Sequence, residues 1–285
     1  MSRRFSRNEL LFGRQGQARI SATTAAVVGV GGLGSHLVQQ LAYLGVGALV
    51  FVDADSVEES NLNRLIGARP RDVGAAKVEV CARLAKAVNP ALAAVPIAAR
   101  VEDPRAHEAI SSADVVFGCF DRDLPRLTLT HIASELGQPY FDLASDSGGG
   151  TEPWYGGRVV FAHGDGCLSC LGLLDQEEIR RDGLAPDQRA AHDHVYGLDT
   201  AALDRPGPAV VSVNGVVASL AVTLFIETWA GIQAPPRHLI YRGEQRRLLR
   251  SVDEPAPNCF YCARWREAGQ SSVAVPMLPI WQPDD

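Results

Sequence analysis

Apolar residues fall along this chain in two rhythms, and their alternation predicts the architecture. Ala25-Ala26-Val27-Val28-Gly29-Val30 is a short continuous apolar run closed by glycine, the pattern of a fully buried strand. A glycine-rich turn follows, then Ser35 to Leu44 at helical spacing, then a second buried strand, Ala48 to Asp53. This unit opens a doubly wound parallel sheet. The rhythm continues with a helix over 74–88 stopped by Asn89-Pro90, a strand over 92–98 and a short helix over 103–111. A strand over 114–118, a helix over 127–136 and a strand over 139–143 complete it. Residues 6–20, ahead of the first strand, mix polar and apolar positions at helical spacing.

From residue 147 the pattern changes. Gly148-Gly149-Gly150 precedes Gly157 to Phe161, which reads as hairpin strands, with Trp154-Tyr155 either lining a groove or filling a hairpin face. Residues 174–207 are polar and charged without a clear period, a long mobile crossover. Val210 to Trp229 is a strongly apolar helix, and the proline-bearing tail 271–285 is extended. The expected fold is α/β: a Rossmann-like, doubly wound, mostly parallel sheet with a C-terminal antiparallel and crossover region. One domain over 1–270 is expected, with a helical arm (1–24), a nucleotide-binding half (25–146) and a substrate and metal half (147–270).

Composition narrows the function. With 46% hydrophobic and 21% charged residues the chain has ordinary globular composition, and its net charge of -6 argues against nucleic-acid binding. No stretch reads as the roughly 20 apolar residues of a membrane span. The N-terminus has basic residues but no apolar signal core, as in a cytoplasmic sequence.

Gly29-Val30-Gly31-Gly32-Leu33-Gly34 lies between strand and helix. Such glycines let a phosphate approach the helix N-terminus, where free N–H groups favour anions. Asp53 ends the next strand, where a ribose-binding carboxylate belongs. Taken alone, this leans toward a NAD-dependent oxidoreductase. That reading leaves Arg64, Lys77 and Asp121 without a task. A triphosphate needs cations to hold its charge and stabilise leaving pyrophosphate. It also needs Mg²⁺, and Asp121, just past a strand's carboxyl end, is a suitable oxygen ligand.

Gly29-Val-Gly-Gly-Leu-Gly-Ser35, Asp53-Ala-Asp55, Ser60-Asn-Leu-Asn-Arg64, Lys77 and Asp121, in this order, resemble the ThiF/MoeB/HesA family, bacterial relatives of ubiquitin-activating enzymes. Arg4-Phe5-Ser6-Arg7 with Gly13, Gly16 and Gln17 is similar to its N-terminal signature. The resemblance implies an ATP-dependent adenylyltransferase acting on the C-terminal carboxylate of a ubiquitin-like or sulfur-carrier protein, or of a short peptide. It implies ribose contact by Asp53, phosphate contact by Asn61, Arg64 and Lys77, and Mg²⁺ at Asp121. It also implies a homodimer in which Arg7 enters the partner's site. Leu65 stands where the family usually has Gln, and Arg122 where Asn is common; both are expected to alter nucleotide contacts slightly. The crossover lies over the substrate in relatives. A partner subunit that keeps the fold without activity is the third reading.

Cys167-x-x-Cys170 and Cys259-x-x-Cys262 have the spacing of a closed, structural Cys₄ Zn²⁺ site. Cys81 reads as core. Cys119 sits near Asp121 but shows no sign of activation, and no cysteine lies between residues 171 and 258. The expected product is therefore a free acyl-adenylate rather than a thioester. His192-Asp193-His194 on the polar segment reads as solvated.

Overall fold

The computed structural model describes residues 3–195 and 207–269. An eight-stranded sheet runs in the order β3-β2-β1-β4-β5-β6-β7-β8, formed by Ala93–Ile97, Ala48–Val52, Thr24–Val28, Val115–Gly118, Tyr140–Gly148, Trp154–Ala162, His238–Arg242 and Arg247–Arg250 respectively. The first five are parallel; β6, β7 and β8 pair antiparallel. Strand order reverses between β1 and β4, so a crevice opens there at the carboxyl edge, the usual ligand position in such sheets.

Helices cover both faces. One face holds α1 (Ser6–Ala22), α2 (Gly32–Leu44), α3 (Lys77–Val88) and the long Val211–Ala230 helix, with Leu37, Leu41, Phe117, Phe141, Val217 and Phe225 in its core. The other holds α4 (Pro104–Ser111) and α5 (Asp123–Leu136), followed along the chain by α6 (Gln176–Asp182) and α7 (Pro186–Val195). With the long helix as α8, the last is α9 (Phe260–Gly269), which packs on α5. Ala26, Val116, Tyr140, Val160 and Trp265 form this second core. Alternation explains the division: in β5 and β6, Phe141 and Val159 face the first core while Tyr140 and Val160 face the second.

The α/β architecture matches the expected one, with three differences. Residues 176–182 and 186–195 are helical despite their weak apolar period. Asp175 caps α6 by accepting from the Glu177 and Glu178 N–H groups, and buried Arg181 pairs with Asp193 at 3.0 Å, so polar contacts replace an apolar stripe. Asp193 is thereby structural. Residues 196–206 of the crossover reading and the tail 271–285 lie outside the described residues. Next, α3 starts at Lys77 rather than Gly74, because Gly74 has φ +89° and forms a turn. Finally, Val211–Ala230 is long and apolar enough to cross a membrane, contrary to the sequence expectation. Here it packs on α1, α2, β5 and β6, with Val217, Ala218, Ala221 and Phe225 fully buried.

Candidate active site

A cavity of about 740 Å³ opens at the β1/β4 crevice. Gly29, Gly31, Gly32, Asp53, Asp55, Arg64, Lys77 and Asp121 all line it. Gly29 has φ +86°, and a Cβ there would meet the Cys119 carbonyl oxygen at 2.6 Å, so only glycine lets the β1 and β4 tips approach this closely. Gly31 faces open space, leaving the first turn of α2, which has no side-chain cap, accessible to an anion. Gly34 does not line the cavity. A Cβ there would lie 2.0 Å from the Gly29 carbonyl oxygen, so it permits close packing of α2 on the turn.

Asp53 ties this loop together. Its carboxylate accepts from the Val30 and Asp55 N–H groups, both at 2.8 Å. Burial pushes its pKa up, opposed by those hydrogen bonds and by the Lys77 charge. Lys77 donates to Asp55 at 2.7 Å. The Arg64 guanidinium is held at 2.6 Å from the Ser60 carbonyl and 3.0 Å from the Asn63 side chain. Asp121 is exposed at the cavity wall, open to a cation from solvent.

Two implied positions fall elsewhere. Asn61 is buried and not part of the cavity lining, and its side-chain amide oxygen accepts from the Glu58 N–H at 3.2 Å. It caps the 3₁₀ turn that presents Arg64 (Glu59–Asn61) and so shapes that loop. Arg7 is exposed on α1 and does not line this chain's cavity. Of the two departures, Leu65 is buried in a small apolar cluster with Val57 and Val80 and is not part of the cavity lining. Arg122 lines the cavity but is bound to α6 through Asp182, with Nε 2.6 Å from the carboxylate. Trp154 and Tyr155 are exposed on the β6 hairpin and outside the cavity lining.

The cavity also contains groups that sequence reasoning missed. Arg126 is buried and donates to Asp142 at 2.5 Å and to the Phe120 carbonyl. Tyr140 donates to the other Asp142 oxygen at 2.9 Å. Arg158 of β6 reaches the same wall, and Asn214 of α8 accepts from the Ser145 hydroxyl at 2.6 Å. A usable signal was present: Asp142 and Arg158 are charges inside otherwise apolar strand runs. Burial raises the Cys119 pKa strongly and pushes the Cys81 thiol up to about 12, so neither is an activated nucleophile.

On the α5 side of the sheet, Cys167, Cys170, Cys259 and Cys262 converge with all sulfurs within 4.8 Å. Sulfur–sulfur separations are 3.7, 3.6 and 3.7 Å. Tetrahedral Zn–S bonds of about 2.3 Å place sulfurs about 3.8 Å apart, so the four thiols fit Zn²⁺. The cluster joins the loop after β6 to α9, whose Trp265 is buried and donates to the Gln138 carbonyl at 2.8 Å.

Comparison with known proteins adds an independent line. The chain is 36% identical over 276 residues to the adenylyltransferase and sulfurtransferase MOCS3-2 of Zea mays, covering 95% of this chain and 51% of that one. It is 38% identical over 138 residues to the SAMP-activating enzyme E1 of Haloferax volcanii, covering 48% and 51%. The chain thus spans about half the length of these curated relatives. The crystal structure of E. coli MccB with AMPCPP and MccA superposes with a TM-score of 0.73 at 21% identity, over 92% of this chain and 74% of MccB, a likeness of fold. The sequence profile of the ThiF family matches residues 5–261, from the N-terminal helix into the second cysteine pair, and the chain therefore belongs to the ThiF family.

Proposed function

We propose that this chain adenylates the C-terminal carboxylate of a small ubiquitin-like or sulfur-carrier protein, consuming ATP and releasing pyrophosphate. The observation that carries this reading is one cavity combining the open glycine turn and Asp53 with Arg64, Lys77 and Asp121. A dinucleotide site has no use for the last three. The substrate carboxylate, with a free pKa of about 3.5, is ionised at neutral pH and needs no general base. Its oxygen attacks the α-phosphorus, the α–β bridging bond breaks, and the electron pair leaves with pyrophosphate. Asp53 holds the ribose, the first turn of α2 receives phosphate oxygens, and Arg64 and Lys77 stabilise the charge that develops. Asp121 would hold Mg²⁺, which when bound neutralises phosphate charge. The four cysteines would hold a structural Zn²⁺ that fixes α9 to the sheet.

Arg7, which does not line its own cavity, serves the site of a second copy in a homodimer. The raised thiol pKa of Cys119 supports release of the acyl-adenylate to an acceptor without a thioester on this chain. We take residues 1–270 as one adenylation domain, with the 174–207 crossover over the acyl substrate, working in the cytoplasm. A short peptide C-terminus is the alternative substrate, favoured by the likeness in fold to MccB, whose structure holds MccA.

The test is ATP–pyrophosphate exchange with Mg²⁺, using ubiquitin-like proteins with free Gly-Gly tails, their tail-deleted forms, and short peptides. Exchange that depends on the tail supports the reading and selects between the two substrates. Exchange with none of them, using dimeric and zinc-loaded protein, contradicts it.

A further inference from the structure

The wall of the cavity formed by α5, β5 and β6 carries three arginines, and two are neutralised. Arg122 has Asp182 at 2.6 Å and Arg126 has Asp142 at 2.5 Å. Arg158 differs. Its nearest carboxylate, Asp142, lies 3.9 Å away and is already engaged by Arg126 and Tyr140. Its one hydrogen bond among the described residues is a long contact to the Leu173 carbonyl at 3.4 Å, and its buried Nε has no partner among them. A guanidinium carries five donors in a planar fork suited to a carboxylate, and withdrawing it from water without a partner is costly. Burial also lowers the Arg158 pKa, in keeping with a partly desolvated cation. It lines the cavity together with Ala144, its partner on β5, and Asp146.

Position in the sheet separates this cation from the phosphate-handling end. Val28, Gly118, Asp142 and Val160 stand in one row across β1, β4, β5 and β6. Arg158 pairs with Ala144, two residues farther along β5, toward the carboxyl edge. Three strand spacings put β6 roughly 14 Å from β1. A nucleotide seated on the glycine turn therefore leaves the Arg158 end to the acyl substrate. An extended chain advances about 3.3 Å per residue, so a tail whose terminal carboxylate reaches the glycine-turn end lays a residue roughly four positions upstream beside Arg158.

We propose that Arg158 is a specificity-determining residue: it seats an acidic side chain, Asp or Glu, located a few residues before the substrate's C-terminus. This rests on the adenylation reading above and deepens it by naming a feature of the tail.

The test uses fluorescein-labelled octapeptides ending in Gly-Gly with a free C-terminus, carrying Asp, Asn or Lys at the third, fourth or fifth position from the end. Binding to the full chain with Mg²⁺ and a non-hydrolysable ATP analogue is read by fluorescence anisotropy. At one position the wild type is expected to bind the Asp peptide about tenfold or more tightly than the Asn peptide, as charge-assisted hydrogen bonds require. Arg158→Gln abolishes that ratio, Arg158→Lys keeps part of it, and Arg158→Glu shifts preference to Lys. A merely structural arginine cannot produce that reversal. Gln and Lys variants keep the test decisive if the Glu variant does not fold. An Asp-to-Asn ratio unchanged in Arg158→Gln overturns the proposal, as does a wild type without acid preference, including one that binds no peptide. Pyrophosphate exchange measured with the same peptides is a separate readout. Acid preference without exchange sinks the adenylation reading and leaves the seat; exchange without acid preference does the reverse.

Discussion

Lys77 donates to the Asp55 carboxylate at 2.7 Å, joining the first turn of α3 to the loop beyond β2. The lysine is mostly covered and the carboxylate mostly exposed, so Asp55 holds the ammonium at the cavity wall while leaving it available to a phosphate. Removing Lys77 is expected to lower pyrophosphate exchange by about 100- to 1000-fold, the usual effect of losing a preorganised charge-stabilising donor. A pair with one exposed member adds at most about 1 kcal/mol to stability. Exchange assays and urea unfolding of Lys77→Met check both parts. A large stability loss with proportionate loss of exchange would make Lys77 structural.

The buried Arg126–Asp142 pair makes the opposite prediction. Asp142 accepts from both Arg126 and Tyr140, and all three are buried. Asp142→Ala leaves Arg126 as an uncompensated interior charge and is expected to destabilise the fold by about 3–5 kcal/mol. Urea denaturation measures this directly; a loss below about 1 kcal/mol would mean that water already reaches the pair.

The cysteine cluster predicts a metal-dependent stability. Purified protein is expected to contain about one zinc per chain, since four thiolates complete a tetrahedral site. Cys259→Ser, or a strong chelator, should release the metal, lower Tm and detach α9 from α5. Elemental analysis and hydrogen exchange over residues 260–269 read the two effects. Full metal content in Cys259→Ser would exclude this ligand set.

Histidine burial predicts a loss of stability on acidification. His238 is buried, and neither ring nitrogen has a hydrogen-bond partner among the described residues. Burial, aided by the Arg158 charge, lowers its pKa below the ordinary value of 6.5. The unfolded chain therefore takes up the proton first. Stability is unaffected above about pH 6.5 and falls as pH drops from there toward the depressed native pKa. His238→Leu removes this proton uptake, so its Tm should fall less than the wild type's between pH 7.5 and pH 5.5. Equal falls would show that His238 does not contribute.

What the sequence made legible was short-range. Gly29 to Gly34, Asp53 and Lys77 are tied to a strand–turn–helix pattern, and local spacing places them. The two C-x-x-C pairs were equally readable, because each half is a local motif. Asn61 reads in the sequence as a phosphate contact, and the structure adds a second task, because a short polar side chain beside a turn serves the backbone readily and here it caps. Leu65 looked like a substitution in the nucleotide site but belongs to an apolar cluster behind it. The helices at 176–182 and 186–195 escaped detection because ion pairs such as Arg181–Asp193 and Arg122–Asp182 hold them in place of an apolar stripe. Arg158 stood out in the sequence only as a charge beside an apolar run, and its place in the site was hidden for a topological reason. Its meeting with Asp142 depends on the antiparallel return of β6 along β5, whose register no local pattern encodes.

The central claim concerns which bond of ATP is broken. The chain, Mg²⁺ and a tail-bearing carboxylate substrate are incubated with ATP labelled at the α- or the γ-phosphate, and the products are separated. The account predicts that γ-label appears in pyrophosphate and α-label in AMP or its acyl ester, only with an intact tail and not with Asp121→Ala. Release of ADP and orthophosphate, or turnover unchanged in Asp121→Ala, would contradict it.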